Sequence, residues 1–454
     1  MSKTPLMISV AGIRGIVGDS VTASVALRWA EAFGSICQPG PVIIGGDSRI
    51  SKTMMRAATI SGVAGAGAKV IDVGVVSTPT IQLAVEHYKA TGGIAITASH
   101  NPAEWNALKF FNKDGLFLDE TEGQALRKLV ESDEMLAVDA FHNGTYERDD
   151  AAVARHVELV LKIPFLNLSE IRKRKFRVGV DAVNGAGGDL AVQLLTALGC
   201  EVIGFHLEPT GLFPRSPEPL PENLVDVCEA MQREAVDIGF VVDPDADRLA
   251  VIRSDGKPAG EELTLVAAAQ TTLKYKKGAV VANCSSTRAL DDIAAAFNVP
   301  IHRTKVGEAH VSRKIIESNA VIGGEGNGGV MLPAVHAARD SAVGMALILQ
   351  ALIEYNGTSA DYFDSLPRYC MVKKRREFTD LDTLRGVLKE IEKTSPFGNP
   401  DTLDGLKWIV QNAWVQVRAS NTEPILRIFA EAKTEAEANS LVDRILDLID
   451  KLLK

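Results

Sequence analysis

Ile94-Ala95-Ile96-Thr97-Ala98-Ser99-His100-Asn101-Pro102, running on to Asn106-Ala107-Leu108-Lys109, is an apolar run that breaks off into small polar residues. Ile94 to Ile96 read as a short buried strand. His100-Asn101-Pro102 cannot continue a central strand, because proline donates no backbone hydrogen bond and restricts the residue before it. Ser99 is therefore expected on a loop at the carboxyl end of a strand, where open α/β sheets hold their ligands. A serine there serves as a nucleophile, a phosphate ligand or a turn residue, and the local pattern leaves all three open. Adjacent residues of a regular element point apart, which argues against a serine–histidine hydrolase pair with His100. The nucleophile-elbow frame G-x-S-x-G is also missing.

Outward from this stretch, the pattern of apolar strand, small polar turn and helical segment recurs three times. It is found at Pro41-Val42-Ile43-Ile44-Gly45-Gly46-Asp47-Ser48-Arg49, at Val178-Gly179-Val180-Asp181-Ala182-Val183-Asn184-Gly185, and at Ala279-Val280-Val281-Ala282-Asn283-Cys284-Ser285-Ser286. Such alternation predicts an α/β fold of three similar units, each a mostly parallel sheet covered by helices. The charged, linker-like Tyr146-Glu147-Arg148-Asp149-Asp150 is expected to end the first unit, and the Ser254-Asp255-Gly256-Lys257-Pro258 turn the second. The tail differs. Residues 409–417 and 425–432 read as two strands around a polar turn. Thr434 and Glu437 form a capping box opening a helix, with Leu441, Val442, Ile445, Leu448, Ile449 and Leu452 on one face. A boundary near Ser365-Leu366-Pro367 makes this a smaller α+β domain. The expected division is 1–150, 151–256, 257–366 and 367–454.

With 454 residues the chain is too long for a single core. It is 46% hydrophobic and 24% charged, as in ordinary soluble proteins. A net charge of -9 argues against nucleic acid as a partner and leaves anionic small molecules only through a local Arg/Lys cluster. Five scattered cysteines without a C-x-x-C pair fit buried thiols in a reducing cytoplasm. No signal peptide or membrane span is expected, since no uncharged apolar run approaches about 20 residues.

Three further constellations carry chemistry. Asp243-Pro244-Asp245-Ala246-Asp247-Arg248 sets three carboxylates at i, i+2 and i+4 after an apolar strand, a spacing that lets hard oxygens converge on Mg²⁺ or Ca²⁺. An EF-hand would need glycine and glutamate where Arg248 and Ser254 stand. A solvated acidic turn is disfavoured, because three close carboxylates repel without a cation. Gly323-Gly324-Glu325-Gly326-Asn327-Gly328-Gly329 is either a flexible turn or a loop that brings backbone to a ligand, with Glu325 and Asn327 able to take sugar hydroxyls. Arg418-Ala419-Ser420-Asn421-Thr422-Glu423-Pro424, with Arg427, is either a capped hairpin turn or a phosphate clamp.

Thr97 to Pro102 with Asn106 and Lys109 resembles the phosphoserine loop of the α-D-phosphohexomutases, with Ala107 in place of the family's usual glycine, mildly constraining the loop. The aspartate segment resembles that family's metal loop D-G-D-x-D-R, with Pro244 for glycine. Residues 323–329 resemble its sugar loop, with Gly329 where many bacterial members have histidine. Residues 418–424 resemble its phosphate loop, with Ala419 and Asn421 as departures, and Gly12-Ile13-Arg14-Gly15 its N-terminal G-I-R-G. These matches run in family order along essentially the whole chain.

The resemblance implies three similar mixed or parallel α/β domains and a smaller C-terminal α+β domain around a central cleft. It implies a mutase that interconverts hexose 6-phosphate and hexose 1-phosphate through a phosphoserine and a 1,6-bisphosphate. Ser99 then carries the phosphoryl group, contacted by Arg14. Lys109, with Arg248 and His100 beside it, belongs to the catalytic set. Mg²⁺ is held by Asp243, Asp245, Asp247 and Ser99, and a hexose 1,6-bisphosphate serves as primer. Lys305, Glu325 and Asn327 bind the sugar, while Arg418, Ser420, Asn421, Thr422 and Arg427 hold the idle phosphate. Among substrates a glucosamine phosphate is expected, with mannose or glucose phosphates as the alternative within the family. A metal-dependent phosphatase and a non-catalytic sugar-phosphate sensor are the rival readings.

Overall fold

The computed structural model describes residues 5–420 and 424–453. Its nineteen described strands form four sheets. The first holds β1 (Met7–Ser9), β2 (Gly12–Ile16), β3 (Val42–Gly46), β4 (Val70–Val75), β5 (Gly92–Ile96), β6 (Trp105–Phe111) and β7 (Tyr146–Arg148). The second holds β8 (Arg177–Asp181), β9 (Glu201–Phe205), β10 (Ile238–Val242) and β11 (Leu249–Arg253). The third holds β12 (Val280–Asn283), β13 (Ile301–Thr304), β14 (Ile322–Glu325) and β15 (Gly329–Met331), and the fourth β16 (Cys370–Glu377), β17 (Leu406–Val410), β18 (Ala413–Ala419) and β19 (Ile425–Ala432).

The first three units share one strand order: β6-β5-β3-β4, β11-β10-β8-β9 and β15-β14-β12-β13. In each, the first three strands of the repeat run parallel and the fourth returns antiparallel beside the third. The first strand ends the same way each time. Asp47, Asp181 and Asn283 each accept the backbone N–H two residues on, at 3.0 Å, which turns the chain out of the strand before the next helix. The three chemical loops are thereby one loop in three copies. Residues 97–104, 243–248 and 326–328 all connect the third strand of a unit to its antiparallel fourth.

Three local expectations are corrected. Tyr146 to Arg148 is no linker but the edge strand β7, parallel to β4; its side chains look charged because an edge strand is solvated. Asn106 to Lys109 lies in β6, not in the loop, so Ala107 is a buried strand residue opposite Arg14. Residues 409–417 are two strands, β17 and β18, joined at Gln411, whose φ of +53° makes the tight hairpin that the apolar run concealed. The charged strand β16, on the edge of the fourth sheet, was also not legible.

Apolar interiors divide the molecule unequally. One cluster runs from Ile43 and Val85 through Leu190 and Phe240 to Leu265, Leu347 and Phe363, so the first three units pack as one body. The fourth keeps its own core of Leu384, Trp408, Val415, Ile428, Val442 and Ile445, closed by the expected Thr434 capping-box helix. No helix among the described residues is long and apolar enough to cross a membrane.

Candidate active site

Ser99 takes a left-handed conformation with φ +49°, which costs a non-glycine residue about 1 kcal/mol or more. The surroundings enforce it. Its N–H donates to Thr97 Oγ1 at 2.9 Å, and Thr97 donates to Asp47 Oδ2 at 2.6 Å. Fully buried Arg49, paired with Asp47, donates to the carbonyls of Ser99, Asn101 and Trp105 at 2.7, 2.6 and 2.9 Å. The turn is thus wrapped around a guanidinium, and Arg14 adds a bond to Asn101 Oδ1 at 3.0 Å.

The hydroxyl of Ser99 donates to Asp243 Oδ2 at 2.8 Å and also lies 3.3 Å from His100 Nδ1. The expectation that Ser99 and His100 point apart is corrected here, because a left-handed residue is not part of a regular element. Burial, and then the neighbouring Arg248 charge, push the His100 pKa down to about 2, so the ring is neutral. Its Nε2 stands 3.8 Å from Glu218 Oε1, which also accepts from Arg248 Nη1 at 3.0 Å.

Asp243, Asp245 and Asp247 are all fully buried, with ligand oxygens within 4.8 Å of one another. Asp245 Oδ2 accepts from Lys109 Nζ and Thr78 Oγ1, both at 2.8 Å, and Asp247 Oδ2 from Arg339 Nη2 at 2.6 Å. Burial and the two neighbouring carboxylates raise the pKa of Asp243 well above the usual range. Burial also presses upward on Asp245, but the Lys109 ammonium outweighs it and keeps that carboxyl ionised. Lys109 loses hydration on burial, yet Asp245 and Asp247 more than restore its proton affinity, so it is an ammonium. Asp245 Oδ1 and Asp247 Oδ1 are buried with no hydrogen-bond partner among the described residues. An unpaired buried acceptor costs about 1–3 kcal/mol, and a divalent cation is the natural partner for two of them side by side. The residues fit a metal.

Glu325 ends β14, buried. Its Oε1 accepts from Asn283 Nδ2 at 2.9 Å and the Gly307 N–H at 3.0 Å, and its Oε2 from Arg339 Nη1 at 3.2 Å. Burial would raise its pKa, but Arg339 and the Asn283 bond hold it low, so it is a carboxylate able to accept more through its free lone pairs. Asn327 Oδ1 accepts the Gly329 N–H at 3.2 Å, and Lys305 is exposed beyond β13.

A chain of contacts therefore joins Ser99, His100, Lys109, the aspartates, Arg248 and Glu325 across three units. The tail residues stand on a different element. Arg418 and Arg427 face each other in the β18–β19 pair. Asp404 lies 3.8 Å from Arg418 Nη1 and accepts the N–H of Val306, beside Lys305, at 2.9 Å. Ser420 donates its N–H to Ile425, and Asn421 and Thr422 lie outside the described residues. Sequence reasoning missed Arg49, Thr78, Glu218, Asn283, Glu308 and Arg339. Only Arg49 and Asn283 had a signal, since both lie in the turn that the three units repeat.

Comparison with known proteins agrees with this architecture. Four family descriptions match in succession: phosphoglucomutase/phosphomannomutase α/β/α domains I, II and III over residues 7–137, 154–256 and 259–369, and the C-terminal domain over 370–448. The chain is 36% identical to a phosphoglucomutase/phosphomannomutase of Thermococcus kodakarensis, covering 98% of each. It is 34% identical to a probable phosphoglucosamine mutase of Methanopyrus kandleri, again over 98% of each. A crystal structure of a phosphoglucomutase/phosphomannomutase family protein from Burkholderia thailandensis superposes with a TM-score of 0.84 at 28% identity, over 99% of this chain and 98% of that one.

A fold of three like units and a smaller fourth, with a serine, three aspartates and a glutamate at the carboxyl ends of equivalent strands, defines a sugar-phosphate isomerase. The chain belongs to the α-D-phosphohexomutase superfamily and is a phosphohexomutase, which sets aside the non-catalytic sensor.

Proposed function

We propose that the protein interconverts hexose 6-phosphate and hexose 1-phosphate through a phosphorylated Ser99, with glucosamine phosphate as its preferred substrate. The observation that carries the reading is the Ser99 hydroxyl 2.8 Å from Asp243, inside a carboxylate triad that keeps two unpartnered oxygens. Asp243, Asp245 and Asp247, with a phosphate oxygen on Ser99, would hold Mg²⁺, since hard carboxylates without a soft ligand favour it. Bound there, the ion neutralises charge on the phosphoryl group.

The residues of the chain have separable roles. Ser99 offers its phosphoryl group to a free sugar hydroxyl: the bond from phosphorus to Ser99 Oγ breaks as one to the sugar oxygen forms. Lys109, an ammonium fixed by Asp245, steadies the transferring oxygens, gives its proton to the departing Ser99 Oγ and regains one from the sugar hydroxyl, with Arg248 beside it. His100, neutral and with Nδ1 3.3 Å from the Ser99 oxygen, orients the hydroxyl. Arg14 holds the loop through Asn101. Glu325 and Asn327 accept sugar hydroxyls, with Lys305 at the rim. Arg418, Ser420, Asn421, Thr422 and Arg427 clamp the phosphate that is not reacting. A hexose 1,6-bisphosphate primes the cycle and turns over between half-reactions. The domain limits at residues 150, 256 and 366, sugar phosphates as partners rather than nucleic acid or membrane, and a cytoplasmic site of action belong to the same reading, the last supported by five free cysteines.

The glucosamine preference is supported by the name of the Methanopyrus kandleri relative, while the Thermococcus kodakarensis relative favours mannose or glucose phosphates. Comparing kcat/KM on glucosamine, mannose and glucose 1-phosphates with bisphosphate present decides it. The highest value on mannose or glucose would overturn the assignment. Intact mass of protein and of Ser99→Ala, differing by a phosphoryl group beyond the substitution, tests the covalent step.

A further inference from the structure

We propose that Arg339 is a positioning residue that couples the metal loop to the sugar loop, and that Gly329 is glycine because Arg339 occupies the space of its side chain. The inference rests on the roles given above to Asp247 and Glu325, and goes beyond them to what fixes one relative to the other.

Arg339 precedes the helix Ser341–Tyr355 and is 8% exposed. Its three guanidinium nitrogens reach three different carboxylates. Nη2 donates to Asp247 Oδ2 at 2.6 Å, Nη1 to Glu325 Oε2 at 3.2 Å and Nε to Glu308 Oε2 at 2.9 Å. Glu308 in turn lies 3.5 Å from Gln82 Nε2, on the first unit's helix Thr78–Tyr88. One planar cation therefore touches the metal loop of the second unit and, in the third, the end of β14 at Glu325 and the first turn of the helix Glu308–Glu317, and is one residue away from the first. A lysine, with a single nitrogen, cannot bridge these directions.

The bridging has a consequence for each end. By taking Asp247 Oδ2, Arg339 holds a carboxylate whose Oδ1 is unpartnered and which lies with Asp243 and Asp245 in one cluster. By taking Glu325 Oε2, it fixes the carboxylate plane that meets the sugar. One side chain thus links the metal-loop carboxylate directly to the sugar-loop carboxylate. A mutase needs that link held, because two different hydroxyls of the sugar must reach the same phosphoryl group in turn.

Gly329 supplies the independent observation. Gly324 and Gly328, in the same segment, have φ of +157° and +84°, and the second requires glycine for its backbone. Gly329 lies in β15 and has no such φ. A Cβ there would instead stand 2.3 Å from Arg339 Cδ and 2.9 Å from Cγ, with Asn327 Oδ1 at 3.1 Å. The strand would accept a side chain, and the guanidinium stem would not.

The test measures metal and sugar separately in the full-length protein. Mn²⁺ binding is read by electron paramagnetic resonance, and kcat and KM with a hexose 1-phosphate. Arg339→Met is expected to weaken Mn²⁺ binding and raise KM, each about tenfold or more, while folding is checked by circular dichroism. Arg339→Lys recovers at most one of the two. Guanidinium ion added to Arg339→Ala restores part of both, which a purely structural role would not allow. Gly329→Ala reproduces the losses in the parent and adds nothing in Arg339→Ala. The cycle and the rescue still decide the matter if Arg339→Met does not fold. Glu325→Gln separates the layers. If it leaves KM unchanged, the sugar role of Glu325 fails. If it raises KM while Arg339→Met and Gly329→Ala keep parental KM and Mn²⁺ affinity, the coupling fails alone.

Discussion

The first three units and the fourth hold their functional residues by opposite means. Ser99, Asp243 and Glu325 sit at the carboxyl ends of equivalent strands in units that share one apolar interior, and buried ion pairs through Lys109 and Arg339 lock the site together. Arg418 and Arg427 sit on a domain with a separate core. That domain meets the third unit through polar contacts. Ser285 Oγ donates to Gln416 Oε1 at 2.6 Å, the Arg288 N–H to Glu431 Oε2 at 2.8 Å, and Lys373 pairs with Glu261. An apolar interior fixes its parts relative to one another, whereas a polar seam exchanges readily with water. Under the proposed function the chemistry falls to the rigid body and the holding of the idle phosphate to the separable one.

The largest effect expected on the rigid side is from Ser99→Ala, which should remove turnover altogether, because among the described residues no second hydroxyl bonds to Asp243. Mutase activity close to the parent's would refute the covalent route. Asp245→Asn should come next. It takes a charge from the triad and the partner from Lys109, so Mn²⁺ binding seen by paramagnetic resonance should weaken sharply, and a chelator should stop the parent enzyme until Mg²⁺ is returned. Undiminished activity in a chelator would dismiss the metal.

Lys109→Ala should then lower kcat by about 10²–10⁴-fold, the usual range for a positioned acid or base, with KM moving less. On the separable side the split should invert. Arg418→Ala should raise KM, with kcat/KM falling roughly ten- to a hundredfold, since a charge-assisted bond to phosphate contributes about 1.5–3 kcal/mol. It should also need more added bisphosphate than the parent. A parental KM there would leave the β18–β19 hairpin as a mere turn. The smallest effect on turnover, and the sharpest on the comparison itself, is expected from Trp408→Ala. Emptying the fourth core should cost about 3–5 kcal/mol there. Calorimetry should show an early transition for that domain while the main one stays in place. A single cooperative shift of the whole melt would mean that the two bodies are not separate.

Much of the site was legible because its residues are near neighbours in sequence. Asp243, Asp245 and Asp247 are spaced by the turn that carries them, and Ser99 follows directly on the strand that presents it. The recurrence of one strand–turn–helix pattern at Asp47, Asp181 and Asn283 foretold three like units. Edges and hairpins were less legible. β7 and β16 are charged because they are solvated on an edge, and Gln411 turns the chain within what reads as one apolar run. Short-range patterns report burial and turn chemistry, and an edge strand shows little of either.

What the sequence determined by itself was therefore the fold class, the order of the loops and which polar side chains those loops carry, all properties of residues a few positions apart. Only the tertiary structure decided the connections. Lys109 meets Asp245 across 136 positions, Ser99 meets Asp243 across 144, and Arg339 meets Asp247 across 92. Such pairs leave no periodic trace, because their spacing along the chain is set by the whole of the packing between them. The same holds for Gly329, whose missing side chain has its reason ten residues further on, in the stem of Arg339.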